Sequence, residues 1–104
     1  MLPAITKDQI LQRLLEKYSP RRIILFGSQA RGTADSKSDV DILVIVQTVE
    51  DRFVLMREMT RDLSSLRYAF DVIVLSDEEF EREKKYPGTV SRYAAQEGII
   101  LYER

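Results

Sequence analysis

Residues 39–46 read Asp-Val-Asp-Ile-Leu-Val-Ile-Val, and within them Val40 to Val46 is the strongest strand in the chain. Its apolar residues do not alternate with polar ones, so both faces of that strand are expected to be covered. On a strand, residues two apart point to the same side. Asp39 and Asp41 therefore project together from the start of a segment that is otherwise apolar. Two carboxylates so close raise each other's pKa, and a divalent cation between them relieves the repulsion. Taken alone, an Asp-x-Asp pair is read equally well as a solvated loop end with Asp39 as a turn residue.

Working outward, Ile23 to Phe26 is a second short apolar run, broken by Gly27-Ser28. Glycine lets a backbone approach a ligand closely. N–H groups left unpaired at a following helix start can bind phosphate oxygens. Ser28 is expected to cap a short helical turn, and Arg31, one turn on, adds a cation suited to phosphate. On its own this pattern also fits an ordinary strand-to-helix turn. Gly32 to Ser38 reads as a polar loop.

Downstream, Glu50 to about Leu66 is a predicted helix with Met56, Met59, Leu63 and Leu66 on one stripe, read as core. It links Val40–Val46 to a further buried strand, Val72 to Leu75, and a strand–helix–strand crossover makes its strands parallel. Parallel neighbours start side by side, which brings Asp71 near Asp39 and Asp41. For Gly27-Ser28 to face the same edge, the first strand must run antiparallel to the second.

The remaining elements are helical, apart from a possible last strand. Thr6-Lys7-Asp8-Gln9 reads as a capping box opening a helix with Ile10, Leu11, Leu14 and Leu15 on one face, stopped at Ser19-Pro20. Ser76-Asp77-Glu78-Glu79 is a second capping box, opening a charged helix to about Lys85. Pro87-Gly88 is a turn. A helix from about Thr89 to Gln96 is expected to end at Gly98 as a C′ glycine, and Ile99 to Tyr102 would add a final strand. The expected architecture is α/β (α+β): a small mixed β-sheet flanked by helices, one domain over residues 1–104.

Composition narrows the chemistry. The 104 residues are 44% hydrophobic and 32% charged, with net charge −1. That balance argues against bulk binding to nucleic acid. With no cysteine and no histidine, thiolate and Ser–His catalysis are excluded, and any metal must be held by oxygen, which points to magnesium or manganese. The longest uninterrupted apolar run, Ile42 to Val46, is too short to span a bilayer, and no secretory signal is visible, so a cytoplasmic protein without membrane association is expected. Of the exposed candidates, Tyr86, Tyr93 and Tyr102 suit either base stacking or partial burial. Arg82, Lys84 and Lys85 suit a solvated face. Arg21 and Arg22 lie at the end of their strand opposite Gly27.

The chemistry of such a set is coherent. Asp39, Asp41 and Asp71 can hold one or two magnesium ions against a triphosphate. Gly27, Ser28 and Arg31 would hold the leaving pyrophosphate, and Asp71 is the candidate general base. The run Leu25-Phe26-Gly27-Ser28-Gln29-Ala30-Arg31-Gly32, followed by Ser38-Asp39-Val40-Asp41-Ile42-Leu43-Val44, resembles the minimal nucleotidyltransferases of the DNA polymerase β superfamily. Their signature is Gly-Ser, ten residues, then Asp-x-Asp, and the third acidic position falls on Asp71 within Phe70-Asp71-Val72-Ile73-Val74. Glu97-Gly98-Ile99-Ile100-Leu101-Tyr102 is similar to the family's tail.

The resemblance implies a polymerase β-like nucleotidyltransferase fold, ATP as substrate with magnesium, and transfer of AMP to a hydroxyl of a partner protein. It further implies an antitoxin paired with a helical HEPN toxin. Because larger relatives carry a second domain that grips the acceptor, the acceptor surface here would come from a partner or a second copy, so a homo-oligomer is possible. The alternative is a nucleotide-binding antitoxin that neutralises its partner by complex formation without catalysis.

Overall fold

A computed structural model describes residues 2–35 and 37–104. The elements in order are α1 (Ala4–Tyr18), β1 (Arg22–Phe26), α2 (Ser28–Arg31), β2 (Val40–Val46), α3 (Arg52–Leu63), β3 (Phe70–Ser76), α4 (Asp77–Glu83), α5 (Val90–Glu97) and β4 (Ile99–Glu103). The four strands form one mixed sheet in the order β3-β2-β1-β4. β2 and β3 are parallel, and β1 is antiparallel to both β2 and β4. The expected α/β architecture, the parallel crossover and the antiparallel first strand are all present. The expected loop 32–38 includes Ser36, which lies outside the described residues.

β2 is buried along nearly its whole length because it is central and covered on both faces. On one face, Ile10 and Leu14 of α1 and Met59 and Leu63 of α3 pack against Ile23, Leu25, Ile42, Val44, Val72 and Val74. Met56 joins them from α3 at the edge of this core, half-buried, but the helix ends at Leu63, short of the expected Leu66, which packs half-buried from the turn that follows. On the other face, Phe80 of α4 and Ala94 of α5 cover Ile24, Leu43 and Ile45. Each large side chain removed from water in this way contributes about 1.5–3 kcal/mol.

Helix ends show where local signals prevailed and where packing overrode them. Ser76 accepts from the Glu79 N–H at 3.1 Å while the Glu79 carboxylate accepts from the Ser76 N–H at 2.9 Å, the expected reciprocal cap of α4. The expected box at Thr6 does not form. α1 begins three residues earlier, with Pro3 in place of Thr6 as its N-cap and its first turn closed by the Pro3 carbonyl, and Thr6 is buried inside the helix. Ser19 ends α1 in the left-handed region, at φ 46. Gly98 is not a left-handed terminator: its φ is −71. It is required for close approach instead, because a Cβ there would overlap the Ala94 carbonyl oxygen and Ile24 Cγ2. Among the described residues no helix is long and apolar enough to cross a membrane.

Candidate functional site

The strand register assembles the site. Asp41 lies opposite Phe26 on β1 and opposite Asp71 on β3. Directly paired residues share a face, so both carboxylates point to the side covered by α4 and α5. Asp71 is the second residue of β3, one step inside a strand that begins earlier than its apolar run suggests. Asp39 falls one residue before β2's first described position and is exposed.

At the end of β1 the chain turns at Gly27, with φ 72 and ψ −155. That region is open essentially to glycine alone. The second reason for glycine is steric: a Cβ at this position would overlap the Asp41 Oδ2. Gly27 thus lets the Asp41 carboxylate lie against the backbone that leads into α2. Gly27, not Ser28, is the N-cap of α2, and no side chain caps this turn. Ser28 is its first helical residue, because the Ala30 and Arg31 N–H groups both donate to the Gly27 carbonyl at 3.1 Å. The expected capping role of Ser28 is therefore corrected, and its side chain makes no cap hydrogen bond to this turn.

Charge is concentrated here. Burial pushes the Asp41 carboxyl above its ordinary pKa, Asp71 and then Asp39 push it further, and Arg31 opposes them. Asp41 thus feels the charge of both other carboxylates. All their donor atoms are hard oxygens, which fit magnesium. Among the described residues, however, no three such side chains are drawn together into a closed metal cage. The set is open, with Asp39 outermost.

A cleft of about 420 Å³ is lined by Phe26, Gly27, Ser28, Arg31, Asp41 and Tyr93. Four of these six lining residues belong to the set expected from sequence, while Asp39 and Asp71 stand outside the lining. Two features of the cleft escape local reading. Glu97, at the end of α5, pairs with Arg31 at 3.4 Å across 66 positions of sequence. Tyr93 is 52% exposed at the cleft instead of packed away. The four-residue spacing of Tyr93 and Glu97 on one helix face was the available signal. Arg21 and Arg22 do lie far from this site, paired with Asp77, Glu81 and Glu103.

Residues 7–102 match the family model of the nucleotidyltransferase domain. The chain belongs to this family. As a nucleotidyltransferase domain it is similar to two curated proteins of Methanocaldococcus jannaschii, each named "Putative protein adenylyltransferase". One is 34% identical over 90% of this chain and 92% of that protein. The other is 43% identical over 54% of this chain and only 40% of that protein, so the chain spans less than half of that relative's length. Among solved structures, the domain superposes with a TM-score of 0.69 on a chain of a toxin–antitoxin crystallised with AMP-PNP, at 24% identity, covering 94% of this chain and 73% of that one. It superposes with a TM-score of 0.66 on a chain from a complex of tri-AMPylated Shewanella oneidensis HEPN toxin with MNT antitoxin, at 20% identity, covering 96% and 71%. At these identities the structural likeness establishes the shared nucleotidyltransferase fold.

Proposed function

We propose that this domain transfers AMP from ATP to a hydroxyl group of a partner protein, releasing pyrophosphate, and that it serves as the antitoxin of a HEPN-type toxin. The observation that carries the reading is the register pairing of Asp41 with Asp71 beside the Gly27 turn. It sets two carboxylates and the Gly27 turn at one sheet edge, which supports reading that turn as the phosphate site. The names of the relatives, which speak of protein adenylyl transfer, and of a fold neighbour, which contains an AMPylated toxin, support the choice of acceptor.

Asp39, Asp41 and Asp71 are the residues that would hold magnesium, and a cation would offset both the burial and the neighbouring carboxylates that raise the Asp41 carboxyl. A bound magnesium would supply charge neutralisation and Lewis-acid activation of the α-phosphate. The Ser28 hydroxyl and the N–H groups of Ser28 and Gln29, ahead of the Ala30 and Arg31 N–H groups that the Gly27 carbonyl accepts, would bind the β and γ phosphates. Arg31 would join them by turning from Glu97. The acceptor oxygen forms its bond to the α-phosphorus as the bond from that phosphorus to the bridging oxygen breaks. Asp71 takes the hydroxyl proton, and pyrophosphate leaves.

The test incubates the protein with magnesium, labelled ATP and the product of the neighbouring gene, followed by mass spectrometry of that product. The expected result is a gain of one or more AMP groups, abolished by Asp39→Asn with Asp41→Asn. No gain with any of the common nucleoside triphosphates overturns the reading. Neutralisation of the partner by the double variant without any transfer would assign the antitoxin role to complex formation alone.

A further inference from the structure

Tyr93 has no part in the chemistry above, yet it stands in the cleft. Of the six lining residues, Gly27, Ser28, Arg31 and Asp41 are the ones the proposed function gives to phosphate or metal, and the other two are aromatic. Phe26 is committed to the sheet, packed against the cluster of Ile24, Leu43, Ile45, Phe80 and Ala94. The ring of Tyr93 is half in water. Among the described residues its hydroxyl enters none of the side-chain hydrogen bonds.

The helix that presents Tyr93 is firmly placed. Thr89 caps α5, its Oγ1 accepting from the Arg92 N–H at 3.1 Å. Ala94, the next residue, is buried against the sheet, and Gly98 closes on Ile24. One turn beyond Tyr93, Glu97 ties the same helix to Arg31. A half-exposed aromatic ring on a rigid wall beside a polyanion site is suited to a flat ligand group. A nucleoside triphosphate whose phosphates occupy Gly27-Ser28 and Arg31 still has its base to place.

We propose that Tyr93 is the nucleobase platform of this site, its ring stacking on the base of the bound nucleotide and supplying affinity for the nucleoside part. The inference rests on the nucleotide reading of the cleft. Because every base has a π-face, stacking tolerates a change of base. The platform therefore favours purines over pyrimidines through contact area without reading an edge, and ATP and GTP bind within a few-fold of each other.

Calorimetric titration of the wild-type protein, Tyr93→Ala and Tyr93→Phe tests this, with magnesium and either a non-hydrolysable ATP analogue or inorganic tripolyphosphate. Tyr93→Ala is expected to weaken the analogue about tenfold, within the usual range for loss of one base–aromatic stack, and to leave tripolyphosphate unchanged. Tyr93→Phe is expected to bind both as the wild type does. The proposal is overturned if Ala binds the analogue normally, if it weakens tripolyphosphate equally, or if Phe is as weak as Ala. A wild-type protein that binds tripolyphosphate as tightly as the analogue overturns the platform and leaves the phosphate site standing. One that binds neither overturns the nucleotide reading with it.

Discussion

Gly27→Ala tests the geometry on which the whole site depends, and its cost has two separable parts. The backbone part comes from φ 72 with ψ −155, a region costing about 1–3 kcal/mol for a residue with a Cβ. The steric part comes from Asp41. The new Cβ would overlap its Oδ2, and it would lie 3.1 Å from its Cγ and 3.4 Å from its Cβ. The carboxylate must swing away while the Cβ contact is tolerable, an off-rotamer shift of about 0.5–1.5 kcal/mol. Together the loss is about 3 kcal/mol, or roughly 12–24 °C in Tm for a domain of this size. Urea denaturation of the wild type, Gly27→Ala, Asp41→Ala and the double variant separates the parts. With Asp41 shortened to alanine the steric part vanishes, so the double variant is expected to be about 1 kcal/mol more stable than additivity allows. A Gly27→Ala cost below about 0.5 kcal/mol would refute the strained turn, and an additive cycle would refute the contact between Gly27 and Asp41.

Two further outcomes follow from ion pairs. Arg31 and Glu97 are 47% and 40% exposed and 3.4 Å apart, a pair contributing about 0.2–1 kcal/mol. Since triphosphate competes with Glu97 for Arg31, Glu97→Gln is expected to tighten analogue binding about twofold at low salt; weaker binding would mean that Glu97 positions Arg31. At Glu79, burial pushes the carboxyl up, but the Ser76 N–H and the Arg52 guanidinium at 2.6 Å outweigh it and hold the pKa below the ordinary glutamate value. Because the folded value is the lower one, this stability is present above the unfolded pKa and lost as pH falls through the folded pKa. Glu79→Gln should therefore cost about 1.5–3 kcal/mol at neutral pH, with the gap to wild type closing in acid. A gap that does not change with pH would show that the side chain acts by packing alone.

Much of the site was legible along the chain. Asp39 and Asp41 are two apart at the start of an uninterrupted apolar strand, and the α3 crossover forces β3 parallel to β2, so Asp71 had to arrive beside Asp41. The Ser76–Glu79 cap is equally local, needing only its own four residues. Thr6 misleads because a buried position in α1 outweighs its capping chemistry, and Ser28 because Gly27 already turns the chain. Gly98 carries a helix-ending signal but is held to glycine by close approach to the Ala94 carbonyl and to Ile24, the second of which no local window contains.

Sequence alone determined the element types, the parallel pairing of β2 with β3 and the acidic residues that meet at the sheet edge, since apolar runs, glycine breaks and crossover length are properties of the chain read in order, whereas the direction of β4 came from the structure. Only the tertiary structure decided that Asp41 lies over Gly27, that Glu97 engages Arg31 and that Tyr93 faces the cleft. Those contacts join elements far apart in sequence, and they depend on how side chains interlock once α5 has packed on the sheet.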